Sequence, residues 1–108
     1  MDSSWGTIDR LVGWADEAGA LPPGEERLLR ILKISEEVGE VGRAVIGATG
    51  HNLRKGVTHS WQDVQDELCD VMVAAMIALR TLTPDAGAVF AERLARVEAR
   101  SQAVREAR

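Results

Sequence analysis

The chain has 108 residues with a formal net charge of −4, 45% hydrophobic residues, 4% aromatic residues, no Tyr and a single cysteine. That length supports one domain with a modest core, and the acidic balance argues against non-specific binding to a nucleic-acid polymer, which depends on Lys and Arg neutralising phosphates. Cys69, being alone, excludes an internal disulfide and a cysteine-rich zinc site.

Ala, Leu, Glu, Arg and Val dominate, which favours helix over sheet, so an all-α protein is expected. The start, "MDSSWGTIDR", carries acids and no apolar stretch of the signal type, and no apolar run approaches the roughly 18 residues of a membrane span. The expectation is an unprocessed cytoplasmic protein without a membrane partner. Self-association is a natural way for so small a domain to add buried surface.

Ile8, Leu11, Val12 and Ala15 recur at helical spacing before a Gly and Pro-Pro-Gly stop, predicting a first helix over 4–18 in which Trp5 and Trp14 pack. Leu28, Ile31, Leu32, Ile34, Val38, Val41 and Val45 predict a second over 24–47. "GATGHNLRKGVTHS", residues 47–60, holds three glycines, both histidines and the adjacent Arg54 and Lys55, which is loop chemistry at unusual length for a helix connection. Ser60 and Asp63 form an expected capping box with Asp in place of Glu. Trp61, as the anchor of the third helix, then leads Val64, Leu68, Val71, Met72, Ala75 and Leu79 as an apolar face to about residue 82, with Cys69 as a small packing residue. Thr83-Pro84-Asp85 predicts a fourth helix with Pro at its first position, and Ala88, Leu94 and Val97 continue as its inner face toward 105.

Two acidic clusters sit on the middle helices. Glu37 and Glu40 are three apart and share a face, with Ile34 and Val41 beside them, while Glu36 lies about 100° away. Glu67 and Asp70 repeat that spacing between Val64 and Val71. If the two helices pack antiparallel, four carboxylates converge, and a hard divalent cation would neutralise them. Oxygen-only ligation suits Mg²⁺ or Mn²⁺, and Mg²⁺ commonly binds together with substrate phosphates. Arg54 and Lys55 are candidate phosphate contacts from the loop. The competing reading is a pair of solvated faces in which Lys33 pairs with Glu37 and Arg43 with Glu40. A redox di-iron bundle requires Glu-x-x-His on two helices, and neither His51 nor His59 has that spacing.

Glu36-Glu37-Val38-Gly39-Glu40 followed by Glu67-Leu68-Cys69-Asp70, within "LKISEEVGEVGRAVIG" and "DELCDVMVAA", resembles the MazG-like, all-α nucleoside triphosphate pyrophosphohydrolases over most of residues 28–80. The resemblance implies a compact four-helix fold assembled as a homodimer or tetramer. It also implies Mg²⁺-dependent cleavage of nucleotides between the α and β phosphates. Carried over by position, Glu37, Glu40, Glu67 and Asp70 are metal ligands, and Glu36 and Glu37 are the candidate catalytic residues. Glu36 either orients a ligand or the attacking water, or faces solvent. "VFAERLARVE" is similar to the family's K-F-x-x-R-x-x-x-V-E, keeping Phe90, Arg93, Val97 and Glu98. Val89 stands where Lys is expected, so Arg93, Arg96 or the loop cations become the candidate phosphate contacts. Three functions follow as expectations: a (d)NTP pyrophosphohydrolase that removes non-standard nucleotides, a relative acting on phosphoribosyl-ATP, and a helical interaction protein that retains the acids without turnover.

Overall fold

The computed structural model describes residues 4–108, which form four α-helices and no strand. They are α1 (Ser4–Ala18), α2 (Pro23–Thr49), α3 (Trp61–Leu82) and α4 (Ala86–Glu106). None of the four is by itself long and apolar enough to cross a membrane.

Local chemistry sets most of the boundaries. α2 begins with Pro at its first position and carries Glu25 and Glu26 in its first turn, where acids complement the helix dipole. It ends at Gly50, whose φ of 66° closes the helix with its N–H donating to the Ile46 carbonyl. The box at the start of α3 is complete: Ser60 Oγ accepts from Asp63 N at 3.1 Å, and Asp63 Oδ2 accepts from Ser60 N at 2.8 Å. That pairing to the Ser60 backbone, then to its hydroxyl, holds the Asp63 carboxyl below its ordinary value.

α4 departs from expectation. Pro84 and Asp85 form a turn in which Asp85 N donates to Thr83 Oγ1, and the helix starts only at Ala86, so Pro84 does not hold the first helical position. Its route then diverges from α3, with a bend of 116° between the two axes. From Ala88 onward every residue of α4 is exposed, including the expected inner-face residues Ala88, Leu94 and Val97.

α2 and α3 form the central antiparallel hairpin, with Arg30 meeting Thr81 at one end and Thr58 N donating to the Gly47 carbonyl at the other. The seam is narrow because Ala44, Ala74 and Ala78 are buried in it beside Val64. At Gly47 a Cβ would run into the His59 ring and Thr58 Oγ1, so only glycine lets the loop fold back there. α1 lies against α3 through Ile8 and Val12, and Arg80 Nε donates to Asp9 Oδ1 at 2.7 Å across that contact. Arg30 joins three helices, bonding Asp16 of α1 and Thr81 of α3 from α2.

Several expected packing residues have no cover in the single chain. Trp5 stacks tilted on Phe90 at 6.3 Å, but Trp14 is 60% and Trp61 58% exposed, and Cys69 is exposed. Leu28, Leu32, Val38, Leu68 and Met72 are also exposed. The cause is topological: α3 carries the main contacts of all three other helices, leaving the outer surface of α2 and most of α4 without a neighbour among the described residues.

Candidate metal centre

The hairpin brings the two acidic motifs together. One carboxylate oxygen each from Glu37, Glu67 and Asp70 can be chosen so that all three lie within 4.8 Å of one another. Three-residue spacing on each helix, combined with antiparallel pairing, puts these groups level with each other across the seam. Octahedral Mg²⁺ holds oxygens about 2.1 Å from the ion, so opposite ligands stand roughly 4.2 Å apart, and small side-chain rotations would suffice to fit one ion. Three half-exposed to exposed carboxylates also leave room for water and a substrate oxygen.

Glu40 stands apart from this group. It forms an ion pair with Arg43 at 2.8 Å, yet its charge still acts on Glu67. Glu36 keeps 69% of its side chain exposed against 16% for Glu37, which places Glu36 on the solvent side. Lys33 Nζ sits 3.4 Å from Glu37 and 3.8 Å from Glu36. The competing reading of the sequence is therefore present in the same structure: all three acids of the α2 motif have a cation on their own helix.

No such cation serves α3. Glu67 and Asp70 make no ion pair among the described residues. Desolvation raises the Glu67 pKa above its ordinary 4.5, and Asp70, Glu40, Glu37 and Asp66 add repulsion, in that order. Exposed ion pairs are worth only a few tenths of a kcal/mol to about 1 kcal/mol, so Lys33 and Arg43 do not commit the cluster to a metal-free state.

A carboxyl whose folded pKa is raised binds its proton more tightly folded than unfolded, so its contribution to stability grows as pH falls and is lost as pH rises through the raised value. The metal-free chain is accordingly expected to melt higher in Glu67→Gln than in wild type at pH 7.5, with the gap closing toward pH 5. Saturating Mg²⁺ should abolish that advantage, because ligation requires the ionised form. Thermal melts of both proteins at the two pH values, with and without Mg²⁺, check this.

Arg30, Lys33, Glu37, Asp70, Val73, Ala74 and Ile77 line a cavity beside the acids. It thus has a charged rim and an apolar floor. Arg54, Lys55 and Arg93 do not line it. The backbone N–H groups of Arg54 and Lys55 donate to Asn52 Oδ1 in a loop turn, and Arg93 lies with Val89, Glu92 and Arg96 on the exposed part of α4. The cations at the cavity are Lys33 and Arg30 instead. Lys33 was visible in the sequence as the residue four before Glu37, whereas Arg30 became recognisable only with the fold, since its partners are 14 and 51 residues away.

Comparison of the chain with protein-family models, with curated proteins and with solved structures finds no match.

Proposed function

We propose that this chain is a divalent-cation-dependent nucleotide pyrophosphohydrolase of the MazG-like kind, working in the cytoplasm as a homo-oligomer on (d)NTPs. The observation that carries the reading is the meeting of Glu37, Glu67 and Asp70 within 4.8 Å, drawn from two helices and bordered by Lys33 and an apolar floor. Mg²⁺ is the expected ion, with Mn²⁺ as a substitute, because the donors are all carboxylate oxygens.

In the reaction a water oxygen bonds to the α-phosphorus, the bond to the bridging oxygen breaks, and pyrophosphate leaves. A cation held by Glu37, Glu67 and Asp70 would neutralise polyphosphate charge and lower the pKa of water bound to it. Glu40, outside the group of three, would add negative charge that strengthens the hold on such a cation. Lys33, which pairs with Glu37 and lines the cavity, would meet a phosphate oxygen once that carboxylate is engaged by a cation. Val73, Ala74 and Ile77 offer apolar surface to the nucleoside and exclude water around the reacting bond.

This role gives Lys33 opposite effects in two assays. Lys33→Met should bind Mg²⁺ alone several-fold more tightly, since an ion pair competing for Glu37 is gone. It should raise the nucleotide KM by about tenfold, the cost of one charge-assisted phosphate contact. Isothermal titration with Mg²⁺ and steady-state kinetics measure the two. A Lys33 that only neutralises Glu37 would move the Mg²⁺ affinity and leave KM unchanged.

The ion pairs on α2 favour a second reading, a helical interaction protein whose acids are satisfied internally. Purified chain incubated with Mg²⁺ and a panel of canonical and modified nucleoside triphosphates, plus phosphoribosyl-ATP, separates the two. Pyrophosphate release above a metal-free control supports the hydrolase, release only from phosphoribosyl-ATP reassigns its substrate, and no release from any member sinks it.

A further inference from the structure

α1, α3 and the start of α4 surround a cavity of about 190 Å³ in which the acidic centre has no part. It is lined by Trp5, Met72, Ala75, Met76, Leu79 and Phe90. Met72 and Met76 lie about 140° and 180° round α3 from Glu67, so the helix itself stands between this cavity and the acids. A nucleotide held by Glu37, Glu67 and Asp70 therefore does not extend into it. Close packing fixes two of the walls. The Trp5 ring comes within 3.3 Å of where a Cβ on Gly87 would stand, so the missing side chain lets the first turn of α4 close against it. Trp5 and Phe90 then meet with centroids 6.3 Å apart and planes inclined at 53°. Met72 and Phe90 are 63% and 48% exposed, which leaves the cavity open to an incoming molecule.

The lining selects what can bind. None of these side chains carries a charge, so an ionic ligand would give up its hydration with nothing offered in return. Water gains little there as well, because an ordered water in a protein takes about two to four polar partners. An apolar cavity of roughly 150 Å³ is enough to hold benzene. Aromatic over aliphatic follows from the kinds of atom present. The two rings offer edge-to-face or offset contact to a third, and the thioethers of Met72 and Met76 are favourable neighbours for a ring edge. An aliphatic molecule of the same size forgoes both.

We propose that this cavity is a binding site for a small, uncharged aromatic molecule, between benzene and indole in size. The site is separate from the metal centre and stands independently of the hydrolase reading, since it uses none of the acidic residues.

Titration of the chain, labelled at its methionine methyl groups, with fluorobenzene tests the proposal by NMR. Saturable binding with a Kd of about 1 mM is expected, and it should shift the methyl signals of Met72 and Met76, which Met72→Leu and Met76→Leu assign. Cyclohexane should bind at least about threefold more weakly, and phenyl phosphate should leave both signals in place. Ala75→Met and Ala75→Leu, which extend into the cavity from an exposed position on α3, should each weaken fluorobenzene about tenfold or more. Glu67→Ala should leave its affinity unchanged. The methyl shifts are read on the unaltered chain, so they decide the matter even where an Ala75 variant folds poorly. Methyl signals that stay still up to about 10 mM fluorobenzene would overturn the site. Affinity kept by both Ala75 variants would place the probe elsewhere on the exposed apolar surface, cyclohexane bound as tightly would remove the aromatic preference, and binding lost in Glu67→Ala would tie the cavity to the metal centre; each of these also overturns the proposal.

Discussion

Asp70→Ala and Glu67→Ala are each expected to lower Mg²⁺-dependent pyrophosphate release by on the order of 1,000-fold, and neither should cost the metal-free chain stability. Loss of one preorganised group at a charged reaction centre commonly costs two to three orders of magnitude, and each of these supplies one of only three converging carboxylates. The stability side follows from what surrounds them. Glu67 feels four other acids and no paired cation, so removing its charge relieves repulsion. A gain in stability with a loss of activity is the pattern of a group held for function at the expense of folding. Glu40→Ala should be milder, because its carboxylate is tied to Arg43 and lies outside the group of three. Coupled pyrophosphate assays and thermal melts on the same preparations check all three variants. Activity retained by Asp70→Ala would remove the hydrolase reading, and a large drop in the stability of Glu67→Gln would instead make the cluster a structural one.

The acids were legible in the sequence because helical periodicity is a local property. Glu37 with Glu40, and Glu67 with Asp70, are neighbours on any helix, and the capping box at Ser60 likewise needed only three residues of context. The four helices and their approximate bounds followed from the same kind of signal. What the sequence could not say was which apolar faces the single chain would cover. Val38 and Leu68 have the spacing of core residues and are exposed, because periodicity reports that a face is apolar but not whether its partner is in the same chain. Which cations border the cavity is likewise set by the fold. Arg54 and Lys55 lie in the loop between the two acidic helices, but the cavity lies about midway along α2, whose axis rises 1.5 Å per residue from Glu37 to the loop. Arg93 does not line the cavity because α4 turns away from α3 at Pro84 and Asp85, a tertiary event that no helix-face count contains.

Arg30→Met should destabilise the chain by about 2 kcal/mol at fixed chain concentration, with little change in nucleotide KM. The Arg30 side chain is only 10% exposed and reaches Asp16 at 2.9 Å, Thr81 at 3.0 Å and Glu26 at 3.6 Å. Thr81 in turn donates to the Ile77 carbonyl at 2.7 Å, so the guanidinium fastens α1 and α2 to the last turn of α3. Asp16 is 64% exposed and returns to water cheaply, which keeps the cost below that of breaking a wholly buried pair. Arg30→Lys should recover less than half of the loss, because one ammonium cannot occupy three directions at once. Urea denaturation of the two variants measures this. Although Arg30 lines the same cavity as Lys33, its charge is already answered by Asp16 and Glu26. The two cations should therefore separate in experiment, Arg30 governing how firmly the helices are joined and Lys33 governing how tightly a phosphate is held. A rise in KM from Arg30→Met as large as that from Lys33→Met would show that the cavity is kept in shape by the joint itself, and would move Arg30 from scaffold to site.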